Sequence, residues 1–191
     1  MIDNGMEISD EVLVEGCVRR DEKMRNALYN KYARNIYAWI LRYAQNEEDA
    51  KDILQETFIV VFSKIAQYEG KGSLVAWMTT IAIRQTLTFY RKKKRQSPYT
   101  DLAAEWYKEE QVEDESVQWP DELSYKVLLE LIRQLPDNYR MVFNLCEIDE
   151  HSIKEVSEWM GCSAENCRVM LFRAKKWLRK KINDLYQKQL L

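Results

Sequence analysis

The chain has 191 residues, 46% of them hydrophobic, with 29 Lys or Arg against 31 Asp or Glu and a formal net charge of −2. That length holds one large domain or two small ones, and the apolar share can bury a core, which excludes a disordered acidic chain. No apolar run approaches the length of a bilayer span, and the opening MIDNGMEISD lacks a basic, apolar signal layout, so a soluble cytoplasmic protein is expected.

Five Gly, three Pro and few β-branched runs point to an all-α fold. The four Cys, at 17, 146, 162 and 167, show no CxxC spacing, so reduced thiols are the default. The first legible helix is MRNALYNKYARNIYAWILRYA, which places Leu28, Tyr32, Ile36, Trp39, Ile40 and Tyr43 on one face. NEEDAKDILQETFIVVFSKI follows, with a core stripe of Ala50, Leu54, Phe58, Val61 and Ile65. Its opposite face carries Asp49, Asp52, Glu56, Ile59 and Ser63, with Gln55 alongside. One large apolar group within an acidic surface fits a protein-docking face, and its charge would repel DNA. On charge alone, an ordinary solvated helix reads the same way.

Next comes YEGKGSLVAWMTTIAIRQTLTFYRKKKR. Gly70 and Gly72 predict a loop, Ser73 can cap the following helix, and that helix ends in a basic cluster. An aromatic, Gly, Lys and Ser in a loop beside a basic helix can take a splayed base and grip its phosphates. Alone the pattern is weak, because a basic run is commonly a solvated helix end, and Trp77 reads as core. Between 97 and 122 stand nine acids and one base, Lys108, bounded by Pro98 and Pro120. The expected organisation is therefore two small helical domains, 1–96 and 122–191, joined by an acidic flexible linker at 97–121.

The second domain begins with DELSYKVLLELIRQL, where Leu123, Val127, Leu131 and Leu135 have helical spacing. Pro136 suits the first position of the next helix, whose apolar stripe is Tyr139, Val142, Phe143 and Cys146. Ser152 and Glu155 fit a capping box, Gly161 a left-handed stop, and Ser163 the cap of the last helix. A short helix, a tight turn with Gly and a longer helix make a helix-turn-helix. Residues 166–181 carry seven Lys or Arg and no acid. At ~100° per residue, Cys167, Leu171, Ala174 and Leu178 form the packed stripe. Opposite lie Glu165, Val169, Phe172 and Lys176, flanked by Arg168 and Arg173. Arg on either side of exposed apolar groups suits a helix in a major groove, where Arg bridges guanine edges or phosphates and apolar groups meet thymine methyls. A solvated basic face with a stray aromatic is the plainer alternative.

An enzyme fits poorly: the chain has one His, no Gly-rich phosphate loop and no nucleophile elbow. Cys146, His151, Cys162 and Cys167 have spacings that suit no familiar zinc finger. No catalysis, cofactor or metal is expected.

Together these segments resemble the extracytoplasmic-function sigma factors, the small two-domain specificity subunits of bacterial RNA polymerase. EDAKDILQETFIVVF is similar to the core-binding signature D-A-x-D-x-x-Q-E-x-F, matching at Asp49, Ala50, Asp52, Gln55, Glu56 and Phe58. GSLVAWMTTIA is similar to the promoter-melting segment G-S-F-x-x-W-L-x-x-I-A, and LPDNYRMVF and SIKEVSEWMGCSAENCRVMLFRAKKWLR to the two halves of the C-terminal domain. The resemblance implies that Asp49, Asp52, Gln55, Glu56 and Ile59 dock on the coiled-coil helices of the polymerase's largest subunit. Tyr68, Lys71, Ser73, Thr80, Arg84 and Arg91 would handle the minus-ten promoter element. Ser163, Asn166, Arg168, Val169, Phe172, Arg173 and Lys176 would engage the minus-thirty-five element. It further implies an acidic linker threading the polymerase interior, and an anti-sigma partner.

Departures from the family pattern include Arg84 for Asn, Thr88 for Asp, and Asn166–Cys167 for a Thr-Val pair. The paired tryptophans of housekeeping sigma factors are absent, with Thr80 and Ile81 in that stretch, so melting is expected to depend on the loop. The competing reading, a stand-alone dimeric helix-turn-helix regulator, accounts for the last 60 residues but not for the acidic face or connector.

Overall fold

The computed structural model describes residues 8–96 and 124–189; they hold eight α-helices and no strand. The expected linker at 97–121 lies outside the described residues. Contacts divide the chain into two compact units, Met1–Phe89 and Tyr90–Leu191.

The first unit is built from α1 (Asp10–Val18), α2 (Glu22–Tyr43), α3 (Glu47–Lys64), a 3₁₀ turn (Ile65–Gln67) and α4 (Leu74–Gln96) as far as Phe89, the last turns of α4 belonging to the second. Short polar side chains start the first three. Ser9 accepts from the Val12 amide, Asp21 from Lys23 and Met24, and Asn46 from Asp49, each satisfying a donor that the helix itself leaves free. Every residue expected on the α2 core face is buried. On α3 the buried row is Asp49, Ala50, Ile53, Thr57, Phe58 and Val61, while Leu54 is half-exposed. Four of the five expected positions, Ala50, Phe58, Val61 and Ile65, are thus buried, and Ile53 takes the place of Leu54. Thr57 joins this row without an unmet hydrogen bond, its hydroxyl donating to the Ile53 carbonyl at 2.7 Å.

α1 has no apolar periodicity to announce it. It is held by a close approach, since a Cβ on Gly16 would stand 2.2 Å from Met24 Cγ, and by Asp10, which accepts from Lys31 and Tyr32 of α2.

The second unit contains α5 (Tyr125–Gln134), α6 (Asp137–Phe143), a π-helical turn (Asn144–Ile148), α7 (Ile153–Met160) and α8 (Ala164–Gln189). Pro136 stands one residue ahead of α6, at its cap, rather than inside it. Tyr139, Val142 and Phe143 are buried as expected, but Cys146 is only half-buried and Leu145 takes its place in the core. The π turn is the reason. The Asp149 amide reaches back five residues to the Asn144 carbonyl, which widens the coil and rotates later positions away from a 3.6-residue register.

Arg140 is fully buried, which no hydrophobic pattern would foretell. Its guanidinium donates to the carbonyls of Arg133 (3.2 Å) and Leu135 (2.8 Å), and to the Asp137 carboxylate. It thus closes the α5 C-terminus just before Pro136. Arg140→Ala should lower the stability of this unit by about 3 kcal/mol, because it strands buried carbonyls that a charged donor now satisfies. Urea unfolding followed by circular dichroism checks this; a loss under about 0.5 kcal/mol, the range of ordinary surface changes, would contradict it.

The α7 cap is the expected capping box. The Ser152 hydroxyl accepts from the Glu155 amide, and the Ser152 amide donates to the Glu155 carboxylate. Hydrogen bonds from the Ser152 hydroxyl and amide hold the Glu155 carboxyl below its usual range. α7 ends at Gly161, whose φ of +67° is the left-handed conformation that favours glycine.

Candidate nucleic-acid and protein interfaces

Three surfaces follow from these elements, two on the first unit and one on the second. On α3, Asp52, Gln55, Glu56 and Ile59 are exposed, Ile59 to 54%. Asp49, expected on this face, is instead 8% exposed. It stands four residues before Ile53 and eight before Thr57, and so shares their inward row. The accessible acids here are Asp52 and Glu56.

Sequence reading did not foresee the hollow beside them, of about 410 Å³, lined by Tyr29, Lys51, Leu54, Gln55, Phe58 and Ile59. Tyr29 of α2 brings its ring to 4.7 Å from that of Phe58, and Arg25 stands 5.6 Å over Phe62. No acid lines the hollow, whose one charged lining residue is Lys51; its apolar, aromatic floor is suited to another protein's side chains, and Asp52 and Glu56 on the exposed face of the same helix favour a basic partner. The signal that could have found Tyr29 is its place one position from the α2 core residue Leu28, where an aromatic is half inside and half out.

The second surface is the loop between the 3₁₀ turn and α4. Gly72 has φ +79°, a conformation strained for any side chain, and its carbonyl accepts from the Tyr68 hydroxyl at 2.7 Å. Ser73 caps α4, its Oγ accepting from the Ala76 amide at 3.2 Å. Lys71 is exposed and 2.7 Å from Glu69. Trp77 is not core, as the sequence suggested; it is half-buried, with its ring 5.7 Å from Tyr68. With Thr80, Arg84, Gln85, Lys64 and Val60 it lines a hollow of about 230 Å³. Tyr68, Trp77, Thr80 and Arg84 therefore fall on a single side of this unit, with aromatic faces beside cations, the chemistry that holds an unstacked base. Lys64 and Gln85 join that set without having been foreseen. Arg91 is exposed on the last turns of α4.

The third surface is α8. Ser163 is its cap, accepting from the Asn166 amide at 3.1 Å. The buried stripe is Cys167, Met170, Ala174, Leu178 and Ile182; Leu171, expected there, is half-exposed. Met170 and Leu171 flank the stripe at similar angles, and α6 and α7, which both pack on α8, decide between them. Ser163, Asn166 and Arg168 are exposed, while Val169, Phe172, Arg173 and Lys176 are half-exposed. Arg168 meets Glu165 at 3.2 Å with both side chains largely in solvent. Lys175 is tied to Glu147 at 2.9 Å, which leaves it to the scaffold. No cluster of His, Cys, Asp or Glu able to hold a metal occurs among the described residues, and none of the described helices is long and apolar enough to cross a membrane.

The family model for sigma-70 region 2 matches residues 28–96, and that for sigma-70 region 4 matches residues 125–178. Among curated proteins, the chain is similar to the ECF RNA polymerase sigma-E factor of Haemophilus influenzae, 25% identical over 94% of this chain and 98% of that one. The same factor from Escherichia coli K12 is 26% identical over 95% and 98%. Among solved structures, the sigma factor RpoE of Bartonella quintana in complex with the anti-sigma factor NepR gives a TM-score of 0.53 at 17% identity, over 83% of this chain and 96% of that one. CnrH in complex with the cytosolic domain of CnrY gives 0.50 at 16%, over 92% and 97%. At that identity the two structures speak for the fold alone.

Proposed function

We infer the division of labour from one premise: the chain belongs to the extracytoplasmic-function sigma factors, which bind core RNA polymerase and direct promoter-specific transcription initiation. In our reading α3 docks on the polymerase through Asp52, Gln55, Glu56 and Ile59, around the hollow that Tyr29 and Phe58 floor. Asp49 supports that helix from inside. The loop at 68–73 and α4 handle the minus-ten element, with Tyr68, Lys71, Ser73, Thr80, Arg84 and Arg91 nearest the strand and Trp77 beside them. α8 lies in the duplex at the minus-thirty-five element, presenting Ser163, Asn166, Arg168, Val169, Phe172, Arg173 and Lys176.

The observation that carries this reading is the segregation of charge between helices. The exposed face of α3 offers carboxylates around apolar groups, while residues 166–181 of α8 carry seven cations and no acid. Phosphates would be repelled by the first surface and held by the second. The chain works in the cytoplasm, where the polymerase is, and carries out no catalysis of its own. Because RpoE and CnrH were both solved with an anti-sigma partner, we add an anti-sigma factor as the regulator of this chain.

Run-off transcription with bacterial core enzyme on a pooled promoter library tests the proposal. Core plus this chain should start transcripts from a subset of promoters sharing one minus-thirty-five sequence, and core alone should not. Tight, specific binding of promoter duplex without core would favour the dimeric regulator, and no affinity for core at modest ionic strength would remove the sigma role.

A further inference from the structure

Cys162 and Cys167 face each other across the turn between α7 and α8, with their Sγ atoms 3.3 Å apart. The register explains the meeting. Ser163 is the helix cap, so Cys162 holds the position before the cap and Cys167 the fourth helical position, the two places that pack together in a hydrophobic staple. Here the staple consists of two thiols. Cys167 is fully buried on the packed stripe, whereas Cys162 is half-exposed. The sulfurs need to close by only about 1.3 Å to reach disulfide bonding distance.

We propose that Cys162 and Cys167 are a modification site, forming a reversible disulfide across the helix-turn-helix turn with a hydroperoxide as the oxidant. The Cys162 sulfur, the accessible one, attacks a peroxide oxygen. The O–O bond breaks, the leaving oxygen takes the Cys162 proton to become water (an alcohol from an organic hydroperoxide), and Cys162 becomes a sulfenic acid. Cys167 then attacks the Cys162 sulfur; the S–O bond breaks, and the departing hydroxide leaves as water with the Cys167 proton. Two electrons pass from the sulfurs to the peroxide, and a dithiol returns them by exchange.

The surroundings favour this pair over the other two thiols. Contact decides it: the Cys162 and Cys167 sulfurs are 3.3 Å apart, which offsets the slow attack expected of a Cys167 thiol pushed up to about 12 by burial and the Cys162 hydrogen bond. Burial pushes Cys146 up to about 11, and Cys17 is buried in the other unit. A transient, stress-dependent bond is also the kind expected in a reducing compartment.

The consequence for DNA rests on α8 being the minus-thirty-five helix. Drawing the two sulfurs together moves the turn that carries Ser163 and Asn166, next to Arg168. Oxidation should therefore lower promoter-specific transcription by tenfold or more, with recovery on adding dithiothreitol.

The test treats the full chain with hydrogen peroxide, denatures it, and counts thiols by alkylation and mass mapping. Wild type should fall from four alkylatable thiols to two, with Cys162 and Cys167 joined in one peptide pair. Cys162→Ser should keep its remaining three and transcribe with core regardless of peroxide. Four thiols persisting in wild type, or losses mapping to Cys17 or Cys146, would overturn the disulfide. A mapped disulfide with unchanged transcription would overturn the switch. If neither redox form transcribes, the sigma reading fails instead, and the thiol map still decides the chemistry.

Discussion

Asp52→Arg should lower affinity for core polymerase by at least a hundredfold and leave the fold intact. Asp52 is exposed on α3, one turn ahead of Glu56 and next to Lys51, which lines the hollow floored by Phe58 and Tyr29. A charge reversal there turns attraction into like-charge contact with a basic partner helix. That costs several kcal/mol at an interface, and each ~1.4 kcal/mol is a factor of ten in affinity. The same exposure protects stability, since substitutions at open surface positions usually stay within about ±0.5 kcal/mol. Titration of labelled core enzyme with both forms, alongside thermal unfolding, separates the two effects. Normal run-off transcription from the mutant would contradict the docking assignment. So would an equal loss of binding and melting temperature, which would make Asp52 a structural residue.

Choosing Asp52 over Asp49 shows where the sequence could be read and where it could not. Both carboxylates match the resemblance, and a helical wheel places both on the acidic face. Only the fold separates them: Asp49 lies on the inward row with Ile53 and Thr57, whereas Asp52 faces solvent. By contrast, α2 was legible throughout, since its six core residues are large aliphatic or aromatic side chains at regular helical spacing. Caps were legible for the same local reason: Ser73, Ser152, Ser163 and Gly161 act within a few residues of themselves. α1, the π turn after Phe143 and the buried Arg140 were not: α1 is held by contacts with α2, and the other two break the rules that apolar residues are the buried ones and recur every 3.6 positions. On the nucleic-acid surfaces the cations were legible, but Trp77 was assigned to the core. Its spacing fits the buried side of α4, and only its place beside Tyr68 reveals a half-open ring.

On α8 the two flanking arginines should fail differently. Arg173 is half-buried along the helix, suited to holding the backbone of the duplex, whereas Arg168 is exposed near the N-terminal end, where a recognition helix meets base edges. Arg173→Ala should weaken holoenzyme binding on every promoter alike and reduce the slope of log affinity against log salt by about one. Arg168→Ala should relax preference at one base pair, by about 1–3 kcal/mol of discrimination, and leave the poorer promoters almost unchanged. The Glu165 contact of Arg168 does not stand in the way. An exposed pair of this kind contributes at most about 1 kcal/mol, less than a bidentate guanine contact returns. Competitive binding of the holoenzyme to a promoter set varied at each minus-thirty-five position, repeated at several salt concentrations, measures both quantities at once. Equal, sequence-independent losses from the two variants would take Arg168 out of base reading and leave α8 as a phosphate clamp.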